Sequence, residues 1–502
     1  MIQVKKKEHI ITTFKNKRIL VVGLARSGTG AANLLASIGA HVTVTDKKPM
    51  STLQQSIKRL VPSVKVVEYS EAGEVFDGTD IIVISPGIPL DIPLLVKAAD
   101  MNIPIIGELE LTYQAVAGCE LRKSSTKGEF RNTHPAAPHF IGVTGTNGKS
   151  TVVTLIDLMM KESRYRVLTG GNIGNALSEE VLKTVGRGQG PGGRKDSTSL
   201  LSLDFIVAEI SSFQLETINK FRPKIAAILN LSPDHLDRYE SMNDYTAAKA
   251  RIFENQTDQD CLVINADDPA AMELYNEKCG DSGGTPEIFF FSRNKKVKGV
   301  YARGGVLYCN LHHLADFPFV SVEEIKISGV HNLENAMAAA LVSMISGCSC
   351  EAVRSVLQKF AGLEHRLEVF EEMNGVKFIN DSKGTNVGAV AKSLEGLDNV
   401  LLIMGGIDKG SDFTLLREPV REKVKLLILL GEAKEKIAHA LEGAAEIQMV
   451  EDLTGATELS MKRAAGGDVV LLSPGCASFD MFKDFEDRGK KFKEAVKGLL
   501  KR

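Results

Sequence analysis

The sequence predicts an α/β protein built from three domains, and three observations carry that expectation. At 502 residues the chain is long enough for about three domains. Strand-like and helix-like stretches alternate almost throughout, the pattern of parallel sheets covered by helices. A polar stretch, 120–138 (ELRKSSTKGEFRNTHPAAP), then separates one such block from a second that opens on the glycine-rich run Gly142–Thr151, GVTGTNGKST. The expected domains are 1–119, 139–328 and 329–502, with 120–138 as linker or insertion.

Composition narrows the class. A hydrophobic share of 43% and a charged share of 25% belong to a globular protein with full cores. The formal net charge is -2, with Lys and Arg scattered, so neither a nucleic-acid nor a membrane surface is expected. Seven cysteines include no CxxC pair, and Cys348 and Cys350 are too close and too isolated for a zinc site. A reduced, cytoplasmic compartment follows as the expectation. The amino end, MIQVKKKEHIITTFKNKR, is basic but has no apolar core, so it reads neither as a signal peptide nor as an anchor. No apolar run is long enough to cross a bilayer, and a monomer is the default.

The first block opens with a strand, Arg18–Gly23 (RILVVG), a turn GLARSG and a helical run to Ile38. A second strand, His41–Thr45, ends at Asp46. Gly23, Gly28 and the strand-terminal Asp resemble a dinucleotide fingerprint, giving a Rossmann-like expectation, although G-x-G-x-x-G is not met and a plain tight turn remains open. Further strands are expected at Asp80–Ser85, leading into Ser85-Pro86-Gly87, and at Ile103–Ile106.

The second block reads as P-loop ATPase-like. An apolar run, a glycine-rich loop and a helix-patterned run place backbone N–H groups and a helix N-terminus around phosphate oxygens. Gly145 and Gly148 allow close approach. Lys149 supplies a point charge, and Ser150 or Thr151 a hydroxyl for magnesium. Val143 stands where the usual loop has glycine, so this is a variant. Buried strands are expected at Phe205–Ile210, Lys224–Asn230 and Cys261–Asn265, with antiparallel additions at Glu287–Ser292 and Gly305–Cys309 and a surface insertion at Gly186–Ser199. Glu209 ends one strand beside the loop, where a carboxylate is placed to hold magnesium. His235, in NLSPDHLDRY with Asp234 and Asp237, falls past the next strand on the same edge. Lys249, in YTAAKARIFEN, reads by default as a helix-surface lysine.

The third block, again Rossmann-like, starts with a helix in HNLENAMAAALVSMI. Strands follow at Val376–Asn380, Val400–Met404, Lys425–Leu430 and Asp468–Leu472, and Phe479–Leu500 is a charged amphipathic helix or helix pair. HRLE (His365–Glu368) offers Arg366 to a phosphate. NDSKGTN brings Asp381, Ser382, Lys383 and Thr385; GGIDKGSDF brings Lys409, and LLSPGCASFDMF brings Ser478. Together these put cations and hydroxyls on the carboxyl edge of one sheet, the ligand crevice of an open α/β domain.

Taken in order, TGTNGKST, GGNIG (Gly170–Gly174), EISSFQLE, NLSPDHLDRY, HNLENAMAA, LEHRLE and NDSKGTN resemble the Mur ligases, the ATP-dependent amide-forming family of peptidoglycan synthesis. The motifs span nearly the whole chain. The resemblance implies ATP and, at two sites, Mg2+. A UDP-linked muramoyl carboxylate takes the γ-phosphate as an acyl phosphate, and an amino acid, here D-glutamate, attacks it. It further implies ATP contacts from Gly145, Thr146, Asn147, Gly148, Lys149, Ser150, Thr151, Asn332, Asn335, Arg366 and Asp381. Ser150 and Glu209 would hold one magnesium; His235 and a carbamylated Lys249 would hold the second. Lys149, His235, Lys249 and Lys383 would serve the chemistry. Leu24, Ala25, Arg26, Ser27, Asp46, Ser85 and Asn172 would bind the UDP-linked substrate; Thr385, Lys409, Ser478 and Phe479 would receive D-glutamate. Closure of the third block about a hinge near Ser328–Gly329 is expected. A silent scaffold of the same fold would be expected to have damaged magnesium ligands, and all four are intact.

Overall fold

The computed structural model describes residues 14–70, 76, 78–117, 137–172, 175–186, 202–235, 238–279, 285–311, 316–327 and 329–500. The polar stretch 120–136, the insertion beyond Gly186, Gly174, Asp237 and Ser328 lie outside them.

Among the described residues the strands form three sheets. The first holds β1 (Arg18–Val22), β2 (His41–Thr45), β3 (Lys65–Val66), β4 (Ile81–Ile84) and β5 (Ile105–Gly107) in the order β3-β2-β1-β4-β5, all parallel. The second holds β6 (His139–Thr144), β7 (Val167–Gly171), β8 (Phe205–Glu209), β9 (Ile225–Ile228), β10 (Cys261–Asn265), β11 (Glu287–Ser292), β12 (Gly299–Arg303), β13 (Val306–Asn310) and β14 (Phe317–Ser321). Its order is β14-β13-β12-β11-β10-β9-β6-β8-β7. The third holds β15 (Glu368–Met373), β16 (Val376–Asn380), β17 (Val400–Gly405), β18 (Val424–Leu430), β19 (Glu446–Met449) and β20 (Val469–Leu472), ordered β15-β16-β20-β17-β18-β19. Strands such as FIVAE and VKLLILL are apolar on both faces because helices cover both sides of the sheet.

Strand order explains where ligands must go. β6 lies between β8 and β9, so the loops leaving all three emerge together at one carboxyl edge. β11 pairs parallel to β10, which corrects the expected antiparallel addition; only β12–β13–β14 run antiparallel at that end. β7, too short an apolar run to stand out (VLTGG), was not foreseen.

Packing also moves a boundary. The helices Val330–Ile345 and Cys350–Lys359 bury Ala336, Met337, Leu341, Val353 and Leu357 in one core with Ile156 and Val143 of the central sheet. The motif HNLENAMAA therefore belongs physically to the central unit. The link to the third sheet is the stretch after Lys359, not Gly329. On the opposite face the central sheet shares a core with the first sheet, in which Val21, Leu35, Leu109, Leu177 and Ile206 all take part. Glu110, fully buried, seals that junction: its carboxylate accepts from the backbone N–H groups of Asn219, Lys220 and Phe221, each at 2.9 Å.

Candidate active site

The phosphate loop is built by two glycines. Gly148 has φ +85, and a Cβ there would lie 2.1 Å from Asn335 Oδ1; Gly145 has φ +150 and lies against Leu229 and Asn230. Asn147 N–H donates to Asn230 Oδ1 (2.8 Å), locking the loop to the strand-end segment after β9. Lys149, first residue of the helix Lys149–Glu162, folds back to donate from Nζ to the carbonyls of Gly145 and Thr146, both at 2.8 Å. Burial lowers its pKa.

Glu209, at the end of β8, is 3% exposed. Its Oε1 accepts from Asn172 Nδ2 at 2.9 Å, while Oε2 is buried with no hydrogen-bond partner. Burial works to raise this carboxyl, but Lys149, Ser150, Arg366 and Asn172 outweigh it and hold it below the usual range. An ionised, buried carboxylate oxygen that accepts no hydrogen bond, beside a phosphate loop, fits a divalent cation. Among the described residues no three His, Cys, Asp or Glu gather, so hydroxyls, phosphates or water would complete the shell of a cation held by Glu209. That fits magnesium, which keeps much of its water.

His235 stands in the left-handed region, φ +56, past β9. Its ring lies 4.8 Å from the Phe213 ring, and Asp234 beside it accepts from Asn386 Nδ2 of the third unit at 3.0 Å. Lys249 is not a surface lysine; it is 2% exposed, with Nζ donating to Gly145 O at 2.9 Å and lying 4.7 Å from the Tyr245 ring centre. Burial, then the charge of Lys149, drives its pKa well down.

The third unit closes the site. Arg366 Nη2 donates to Ser150 Oγ at 2.6 Å. Lys383 rests 4.0 Å from the Phe485 ring centre, its pKa lowered to about 8 by burial. A cavity of about 260 Å³ is lined by Lys149, Glu209, His235, Lys249, Lys383 and Lys409, together with Thr146, Asn172, Arg366 and Thr385. A second, of about 330 Å³, adjoins it through Asn147, Gly148, Arg366 and Lys383 and holds Thr151, Asn332, Asn335 and Asp381. Sequence reading overlooked Asp267, Asp268, Arg293 and Glu334 on its wall. NADDP follows β10 at the same carboxyl edge, a signal that would have found the two aspartates.

Some expected residues serve the scaffold. Asp381 accepts from Ser393 and Ser473 at 2.7 Å and from Leu367 N–H at 3.3 Å, and burial pushes it up to about 6. In the first unit Asp46 accepts the N–H of Leu24 (2.6 Å) and of Lys48 (2.9 Å), and Ser85 Oγ donates to Gly23 O at 3.0 Å. Leu24 is buried, while Ala25 and Arg26 are exposed at the start of the helix Arg26–Ser37 and Ser27 is half-buried. Ser478 is 2% and Phe479 69% exposed; neither lines the 260 Å³ cavity, but Ala477 is bridged to Ile407, which sets Ser478 near the Lys409 loop.

The comparisons now fall into place. Residues 17–107 match the Mur ligase MurD-like N-terminal domain, 143–343 the Mur ligase middle domain, and 365–476 the Mur ligase glutamate ligase domain. The chain belongs to the Mur ligase family. It is 40% identical to the UDP-N-acetylmuramoylalanine–D-glutamate ligase of Caldanaerobacter subterraneus subsp. tengcongensis, over 97% of this chain and 99% of that one. It is 39% identical to the enzyme of that name from Koribacter versatilis, over 97% and 98%. Two solved structures share the fold. One is the MurF ligase of Thermotoga maritima in complex with ADP (TM-score 0.57, 14% identity, 99% of each chain). The other is a pseudomurein peptide ligase type C from Methanothermus fervidus (TM-score 0.56, 16% identity, 96% of this chain and 100% of that one). Among the described residues no helix is long and apolar enough to cross a membrane.

Proposed function

We propose that the chain joins D-glutamate to UDP-N-acetylmuramoyl-L-alanine at the expense of ATP, through an acyl phosphate. The observation that carries this reading is the convergence of Lys149, Lys383, Arg366 and the unpaired Glu209 oxygen on one cavity beside the phosphate loop. Phosphoryl transfer between two anions calls for charge neutralisation and alignment more than for covalent help. Lys149, released from the Gly145 and Thr146 carbonyls, would turn to the terminal phosphates, and the N–H groups at the head of the helix Lys149–Glu162 would cradle them. Arg366, already on Ser150, would bring the third unit onto the nucleotide. The adjoining 330 Å³ cavity accommodates the adenosine part, with Asn332 and Asn335 on its wall.

Magnesium, held by Ser150 and Glu209 and by His235 with a carbamylated Lys249, would neutralise phosphate charge and polarise the phosphoryl group under attack. As an ammonium Lys249 has no lone pair to offer a cation, and as a neutral amine it is a poor ligand for magnesium, which prefers oxygen. Its depressed pKa favours the neutral form that adds to carbon dioxide, giving an N-carboxylate and one released proton. Lys383 and Lys409 meet the carboxylates of the acceptor and of the incoming D-glutamate, with Thr385 as a hydroxyl partner and the Ser478–Phe479 loop behind Lys409. Leu24–Ser27 at the first helix N-terminus would take the uridine diphosphate, on a turn shaped by Asp46 and Ser85.

Phosphate release from ATP, with UDP-N-acetylmuramoyl-L-alanine and magnesium, should require D-glutamate in a panel of amino acids and give the matching product mass. Turnover only with a different amino acid would reassign the third-unit pocket. No turnover despite ATP binding would sink the catalytic reading.

A further inference from the structure

We propose that Glu216 is a positioning residue for His235, acting through Arg238 and Tyr239; the inference rests on the reading of His235 as a metal ligand. Glu216 follows the short helix Ser212–Leu215, opposite the turn that leaves His235. Its two carboxylate oxygens are divided between two donors of that turn: Oε1 accepts from Tyr239 Oη and Oε2 from Arg238 Nη2, each at 2.5 Å. The side chains of Glu216 and Arg238 are 16% and 20% exposed, so neither contact is an open surface pair.

The same two donors hold the ring that touches His235. The Arg238 guanidinium carbon lies 4.3 Å over the Phe213 ring centre, and Tyr239 stacks on Phe213 at 6.1 Å and 26°. Phe213 in turn contacts the His235 imidazole at 4.8 Å. On the backbone, the His235 carbonyl accepts the N–H groups of both Arg238 (3.0 Å) and Tyr239 (3.1 Å). His235 therefore sits in the left-handed region, uncommon for any residue but glycine, held by backbone bonds to Arg238 and Tyr239 that one carboxylate pins. Burial and the Glu216 carboxylate push the Tyr239 phenol up, which keeps it a donor. Arg238 Nη2 also reaches the carbonyl of Ile88 in the first unit at 3.4 Å, so the turn is tied to the loop beside Gly23 as well.

A glutamine at 216 keeps the shape but loses the charge that draws in both donors; its single acceptor can serve Arg238 only if the Tyr239 hydroxyl reverses to accept from the amide. Groups that orient a metal ligand typically change metal affinity 10–100-fold when altered. The probe is Mn2+, whose binding is followed by electron paramagnetic resonance on the full chain with a non-hydrolysable ATP analogue. Wild type should show a site that His235→Ala abolishes; if the two bind Mn2+ alike, the metal reading of His235 fails, whatever Glu216 does. Given that site, Glu216→Gln should weaken it about tenfold and leave the Glu209-dependent site unchanged. Unchanged binding at the His235 site overturns the proposal, and so does equal weakening of both sites, which marks a general loss of structure. Thermal unfolding reports whether E216Q is folded; if it is not, Tyr239→Phe removes one donor and should weaken the His235 site about threefold, with no change overturning the proposal.

Discussion

Lys149 and Lys249 donate to a single acceptor, the carbonyl of Gly145, at 2.8 and 2.9 Å. Two ammonium groups, one half-buried and one buried, cannot both keep their charge against one carbonyl without an electrostatic penalty. Burial and the neighbouring charge resolve the conflict at Lys249, whose pKa falls well below its usual value.

That neutral amine leads to the first prediction. Enzyme equilibrated with 13C-labelled bicarbonate should show a carbamate resonance that is missing from Lys249→Arg, and Lys249→Ala should lose roughly 10²–10³-fold in kcat, the scale for removing a preorganised electrostatic group. An identical spectrum from wild type and variant would remove the carbamate from the site.

Gly148 tests the loop itself. At φ +85 an alanine is strained by about 1–2 kcal/mol, and its Cβ would strike Asn335 Oδ1 from a distance of 2.1 Å. The free variant loop relaxes away from that shape, so Gly148→Ala should bind ATP about 5- to 30-fold more weakly in a fluorescent-nucleotide titration, the strain of restoring it. Wild-type affinity would show that the loop relaxes on binding.

Lys383 sets a pH limit. Its pKa, lowered to about 8, means that the cation is present below that value and is lost as the pH rises through it. Activity at subsaturating substrate should therefore fall on the alkaline side of about 8. In Lys383→Arg that limb should move out of range, since arginine keeps its charge. A limb that stays put in the variant assigns it elsewhere.

A fourth prediction concerns motion. The central sheet and the helices up to Lys359 form one packed unit, and the third sheet begins at Glu368. Closure about the intervening stretch should lower the radius of gyration in X-ray scattering when an ATP analogue and the uridine nucleotide substrate are both added. Superimposable curves would rule that closure out.

Which residues gather at the candidate site was largely legible in the sequence because they follow strand ends. Glu209, His235 and the phosphate loop cluster through the order β9-β6-β8, which places their loops side by side, and Lys383 and Arg366 join them from the third unit. Lys249 was harder: only the fold reveals that its helix turns this side chain under Gly145. The Val330–Ile345 helix misled in another way. Its composition, VHNLENAMAAALVSMI, is apolar almost all round, so periodicity cannot say which sheet it covers. Glu216 was invisible for a similar reason, since a carboxylate that receives two donors from a distant turn looks in sequence like any solvated acid. Short strands such as Lys65–Val66 carry too few residues to register a pattern at all.

The seal at Glu110 has one more implication. To part the first two units, a carboxylate and three N–H groups would have to give up one another at a dry junction, several charge-assisted bonds at once. On the proposed reading, the Leu24–Ser27 turn that would take the uridine diphosphate and the phosphate loop thus sit on two units already joined through one core before any ligand arrives. On that reading reach would become a ruler: only a substrate whose carboxylate lies the correct length from its diphosphate could touch both ends, and length would be sensed before any bond is made.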